Sequence, residues 1–452
     1  MHREITSIFN QNKVILRDTQ RAVTPYGGLA VFVEYLRKIE YAETIRKFIP
    51  IQFTSPNAID PTETFTAFLI SVLSGARRFA HASLLRFDKA LHCLLGILRF
   101  PTDDTMRNLF KRFSQGKVSE FFSSLTQWQI QRLPERSAGY SLDLDSTVFE
   151  RYGHQQGALK GYNPKKHGRP SHHPLLAILS ETHFVLHAWL RSGNCSSSRG
   201  VVEFLKEALA LLAERHKIRV VRADSGFFDD KLLSFLEGLE LPYVVVARMT
   251  RWIKNEAIRI REWMDLDSTY SVAEFKVQLY GWARERRIVV VRELVKDKPS
   301  MGRRLFNIPE YTFRLFVTSL PFAPEEIWRD YNQRADMENR IAELKYDLAA
   351  DDFCLKEFFA TEAAFRSILL LFNLLGEFQR VCGMQEYKQP ATLRVQIFLC
   401  GAILGKSGRK QVLHLSSAWG GLETRKPLFE KILSYVFPTS PKLDSALQNG
   451  CP

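Results

Sequence analysis

Three acids and one row of polar side chains set the chemistry open to this sequence. Asp143 and Asp145 lie two apart in the alternating run from Tyr140 to Phe149, so on a strand they project from one face. Asp145 sits at the strand end, before Ser146 and Thr147. Asp224 ends the run Lys217 to Arg222 in Arg222-Ala-Asp-Ser-Gly-Phe227, where a strand passes into a helix through a glycine turn. Sites in open mixed sheets form outside strand carboxyl ends. Two carboxylates on neighbouring ends repel unless a hard divalent cation neutralises them. Taken singly, each Asp is equally a turn or cap residue.

Helix arithmetic supplies a third acid. At about 100° per residue, Tyr331, Arg334, Glu338 and Lys345 fall within about 60° of one another on a helix running from Pro324 to about Leu348. Asp336 and Glu343 fall on the opposite side, so Glu343 should face solvent or pair locally. A face carrying a phenol, a guanidinium, a carboxylate and an ammonium is not the apolar stripe of a structural helix. The plain alternative is a solvated face with i,i+4 pairs such as Arg334 with Glu338.

Two basic segments accompany these acids. Ala158 to His173 carries Lys160, Lys165, Lys166 and Arg169 with no acid, interrupted by glycine and proline, and suits a phosphate backbone. Its His167, His172 and His173 lack the spacing of zinc ligands. A helix opening at Phe100 to Thr105 and continuing through Phe113 carries Arg107, Asn108 and Lys111, which fits either a recognition helix or an ordinary basic amphipathic helix. Trp282 reads as a core residue, with base stacking as the alternative.

The elements that must position these groups follow from periodicity. Residues 1–137 have helical spacing, as in Phe32, Tyr35, Leu36 and Ile39, and are expected to form a helical N-terminal DNA-binding domain. From 138 the order becomes β-β-β-α-β-α-β, with a hairpin across Glu181 to His183. That order predicts an α+β or α/β chain with a ribonuclease-H-like catalytic core and a mixed sheet. The core is expected over 138–249 and again over 321–381, interrupted by a β-rich insertion at 250–320 and followed by a helical, basic C-terminal region, 382–452.

Composition narrows the partners. Of 452 residues, 63 are Lys or Arg and 49 Asp or Glu, a net charge of +14 that favours a polyanionic partner. The N-terminus lacks a signal-peptide pattern, and the apolar run Ile368 to Leu375 is broken by Asn373, so it reads as a buried helix rather than a membrane span. Six cysteines without a CxxC pair point to reduced thiols and a cytoplasmic protein.

The spacing Tyr331-x2-Arg334-x3-Glu338-x6-Lys345 resembles the signature of DDE transposases of bacterial insertion sequences. Asp145 in Asp-Ser-Thr is similar to their first acidic motif and Asp224 in Ala-Asp-Ser-Gly-Phe to their second. The segment Lys160 to Pro174 most resembles the insertion-sequence 1380 group. The resemblance implies that Asp145, Asp224 and Glu338 are catalytic and hold Mg²⁺, with Mn²⁺ as substitute. It implies double-stranded DNA as partner, both terminal inverted repeats and target, with a homodimer on DNA and no membrane. Tyr331, Arg334 and Lys345, with Lys160, Lys165, Lys166, Arg169, Arg107 and Lys111, become the expected DNA-binding residues. The alternatives are a ribonuclease-H-like nuclease without strand transfer and a catalytically silent DNA-binding relative.

Overall fold

The alternating run from Tyr140 forms an inner strand of a nine-stranded mixed sheet. The computed structural model describes residues 2–163, 166–294, 311–419 and 422–435. Numbered in chain order, the strands of this sheet are β1 (Tyr140–Ser146), β2 (Leu175–Leu179), β3 (Phe184–Trp189), β4 (Ile218–Ala223), β5 (Tyr243–Val246), β6 (Met264–Asp265), β7 (Tyr270–Val277), β8 (Arg286–Leu294) and β9 (Tyr311–Thr318). Their order is β6-β7-β8-β9-β5-β4-β1-β2-β3. β1, β4 and β5 run parallel, and β2 and β3 form the expected antiparallel hairpin. The expected insertion does not stand apart: β9 pairs antiparallel with β5, Val244 opposite Thr318, so β5 is no longer an exposed edge.

Both sheet faces are covered. Leu175 and Ala177 point to one side, where Phe204 and Leu205 of α3 (Val201–Leu211) and Leu232 and Leu236 of α4 (Asp230–Gly238) meet them. Leu176 and Ile178 point to the other, as the pleat requires. There they join α7 (Phe358–Val381) and the N-terminal helices, including α1 (Asp103–Phe110) and α2 (Gln115–Ile130), in one apolar core. Phe32 packs edge-on against Phe378, and Arg132 forms a buried ion pair with Glu377 of α7. Helix α7 is the one described helix long and apolar enough to cross a membrane, and most of it is buried in this core. Past it, Ala402–Ser407 and Lys410–Leu415 form a hairpin joined by Val23–Thr24, with Lys406 and Lys410 exposed at its turn.

The expected continuous helix from Pro324 is broken. Helix α5 (Pro324–Asn332), with proline in its first turn and Glu326 bonding back to the Ala323 amide, stops before Arg334. The bonds Arg334 N to Tyr331 O and Met337 N to Arg334 O span three residues, which tightens the joint before α6 (Ala335–Ala342). Beyond α6, Glu343–Asp347 widens into a π-turn closed by Leu348 N to Glu343 O.

Candidate active site

Strand register brings the first two acids together. Leu144 of β1 lies opposite Ala223 of the parallel strand β4, so Asp145 and Asp224 are the next residues on adjacent strands at their carboxyl ends. The Asp224 carboxylate accepts the Gly226 amide at 2.9 Å and caps the turn that follows. Arg248, just beyond β5, holds that turn from outside by donating to the Ser225 and Gly226 carbonyls at 2.7 and 3.0 Å. A side chain at position 226 would collide with Ser197, so the turn requires glycine.

Asp145 accepts the Ser146 amide at 2.7 Å and faces the Arg334 guanidinium at 3.2 Å. Burial pushes its carboxyl up to about 6; Arg334 pulls the other way, and Asp224 and Glu338 push it further up. Glu338, exposed on α6, makes no hydrogen bond or ion pair among the described residues. Asp145, Asp224 and Glu338 line one open cleft of about 1570 Å³. Among the described residues no three acids, histidines or cysteines close into a ready-made cation site. The donor set nevertheless suits a hard cation: three carboxylates share one cleft, and Asp145 carries the strain of its neighbours' charge.

The remaining expected residues divide by place. Lys345 lines the cleft and donates to the Val148 carbonyl at 2.9 Å. Arg334, only 5% exposed, is turned inward and donates to the Leu144 carbonyl at 2.8 Å, so it braces the end of β1 rather than opening onto the cleft. Tyr331 packs against Phe316, and burial pushes its phenol up to about 12, Arg334 opposing and Asp224 and Asp145 adding. Neither lines the cleft wall. Glu343, expected to face solvent or pair locally, is 2% exposed and paired, with Arg340 at 3.1 Å and the Tyr387 hydroxyl at 2.7 Å. Asp143 also turns out to be structural, holding the buried Arg222 guanidinium through two bonds of 2.6 and 2.9 Å.

Of the basic loop, Lys166 lines the cleft, donating to Glu150 and Tyr152 at 2.8 Å each. Lys160 and Arg169 are exposed outside the cleft wall, Arg169 over the Tyr152 ring, and Lys165 lies outside the described residues. His172 is fixed between Arg151 Nε and the Gln156 carbonyl; burial and Arg151 push it down to about 4. Arg107 of α1 reaches the cleft while pairing with Asp103 at 3.1 Å, whereas Lys111 is exposed away from it. Trp282, in the turn between β7 and β8, packs on Phe228 and the Arg286 guanidinium, as the core reading expects. Sequence reasoning missed Arg77, Arg78, Tyr152 and Tyr346, which also line the cleft. The adjacent pair Arg77-Arg78 after Gly75 was the signal available for two of them.

Fold and site together define a mixed-sheet protein with a carboxylate-lined cleft at the carboxyl ends of parallel strands. Residues 6–439 match the family described as transposase DDE domain, group 1, and the chain belongs to that family. Among solved structures it is similar to a piggyBac transposase synaptic complex with hairpin DNA, determined by cryo-electron microscopy. The identity is 14% and the TM-score 0.43, over 95% of this chain and 86% of that one. No curated protein matches the chain.

Proposed function

We propose that this chain is the transposase of an insertion sequence, of the 1380 group, with a ribonuclease-H-like core that cuts DNA at the element ends and joins the 3′-hydroxyls to target DNA. The observation that carries the reading is the register of β1 on β4, which sets Asp145 beside Asp224 above a cleft that Glu338 also lines. Asp145, Asp224 and Glu338 would hold Mg²⁺. Such ions, when bound, lower the pKa of an attacking oxygen and stabilise the leaving one. The chain's own side chains do the rest. Arg334 fixes the end of β1 and offsets part of the charge on Asp145. Lys345 and Lys166 set ammonium groups along the cleft for phosphate oxygens. Tyr331 supports Arg334 from behind, with the guanidinium 6.0 Å from its ring.

The test is cleavage and end binding measured on one labelled duplex carrying an element end. Asp145→Asn, Asp224→Asn and Glu338→Gln are each expected to abolish cleavage in Mg²⁺ while binding persists. A variant that cuts at the wild-type rate removes that residue from the set. Strand-transfer products separate a transposase from a nuclease that only hydrolyses.

A further inference from the structure

We infer that His183 and Tyr387 are positioning residues, joined with Asp336, Arg340 and Glu343 in a polar latch on the far side of α6 that sets the rotation of Glu338 toward the cleft. The inference rests on the transposase reading and adds what aims its third acid. Glu338 makes no bond of its own among the described residues, so its placement is that of α6. That helix is eight residues long, too short to hold its shape unaided, and it is continuous at neither end. Three-residue bonds tighten the joint before it, and the π-turn Glu343–Asp347 follows it. Met337 and Leu344 bury apolar side chains beneath it, but apolar contact is not directional.

Directional contacts come from the opposite face. Asp336, Arg340 and Glu343 stand four and three residues apart and share one side, whereas Glu338 is about 160° round the helix from both Asp336 and Arg340. Arg340, only 6% exposed, pairs with Asp336 at 3.2 Å and with Glu343 at 3.1 Å. Two segments remote in the chain grip this trio. Tyr387, beyond α7, donates its hydroxyl to Glu343 at 2.7 Å and lays its ring 4.4 Å from the Arg340 guanidinium. His183, in the turn joining β2 and β3, donates from Nε2 to Asp336 at 2.9 Å, accepts at Nδ1 from Arg340 at 3.4 Å, and meets the Tyr387 ring edge-on. Its φ of +54° lies in the left-handed region, where glycine is free of steric cost. The turn's backbone alone would favour glycine, so the imidazole is there for what it bonds.

Substitutions at His183 set stability against aim. Glycine fits the left-handed backbone and removes one end of the latch; glutamine strains that backbone but carries an amide donor toward the place of Nε2. Cleavage of a labelled duplex carrying an element end is measured at saturating protein in Mg²⁺, beside the end-binding constant and melting temperature of each full-length variant. His183→Gly is expected to melt within about 2 °C of wild type and to bind ends within about two-fold, yet to cut about ten-fold more slowly. His183→Gln should recover most of that rate while melting no higher than His183→Gly. Tyr387→Phe, which removes one hydroxyl at the other end of the latch, should slow cutting by about three-fold or more with end binding unchanged. A His183→Gly protein that cuts at the wild-type rate overturns the inference and leaves the transposase reading standing. So does cutting that follows melting temperature or end binding across the three variants, since a contact that only supports the fold would behave that way. Wild type that cuts no DNA carrying an element end overturns both.

Discussion

Arg334 illustrates how one residue can match a spacing and still act differently from the face it was placed on. Its Nη2 reaches both the Leu144 carbonyl and Asp145, and a lysine there lacks the planar guanidinium that holds that nitrogen in place. Arg334→Lys should therefore lower cleavage by at least about ten-fold with the circular dichroism spectrum unchanged. Cleavage at the wild-type rate would show that β1 holds Asp145 unaided. Glu343 makes the opposite case, a carboxylate close in sequence to Glu338 and excluded from the cleft. Burial pushes it up to about 7 from 4.5, with Tyr387 and Arg340 opposing. The folded state thus binds the extra proton across that window, so stability is lost as pH rises from about 4.5 through about 7. Glu343→Gln should flatten this part of the curve of melting temperature against pH and keep most cleavage. An unchanged curve would mean that Glu343 titrates normally. A dead Glu343→Gln beside an active Glu338→Gln would move the third acid to position 343.

At the scale of elements, the acids depend on a clamp beneath them. Arg222 of β4 holds Asp143 of β1 and donates to the Asp330 carbonyl of α5 at 2.6 Å. One buried guanidinium thereby ties the strands carrying Asp145 and Asp224 to the helix that leads to Glu338. Removing one partner strands the other charge, so Arg222→Met should cost about 3–5 kcal/mol in urea unfolding. The double variant Asp143→Leu, Arg222→Met should recover part of that loss. If the double change costs as much as the sum of the single ones, the pair is not coupled. The sequence made the strands legible because alternation and β-branched runs are local signals, and the parallel order of β1 and β4 followed from the succession of elements. It could not show the break at Arg334, where the backbone tightens into three-residue bonds while the guanidinium reaches Leu144, far away in the chain. Nor could it show that Asp143, sharing a face with Asp145, would be neutralised by Arg222. Pairing of that kind is decided by packing, as is the merger of β9 with β5.

Across the whole molecule, the N-terminal helices matter less as a separate module than as one wall of the cleft. They share a core with α7, and Arg77, Arg78 and Arg107 bring guanidinium groups into the cleft that Lys166 also lines. Arg77 pairs with Asp352 at 2.9 Å and Arg107 with Asp103, so both are oriented before any phosphate arrives. Exposed pairs of this kind add little stability and can exchange a carboxylate for a phosphate at small cost. Each phosphate neutralised contributes about 0.9 to the slope of log K against log salt for duplex DNA. Replacing Arg77, Arg78 and Arg107 by alanine should therefore reduce the slope by up to about 2.7, one increment for each arginine that meets a phosphate. The same treatment of Lys406 and Lys410, on the hairpin that joins Val23–Thr24, tests whether net charge alone is responsible. If it is, the fall in slope per charge removed will match at both places. A fall confined to the arginines would give the +14 net charge a location, in the cleft that Asp145, Asp224 and Glu338 line.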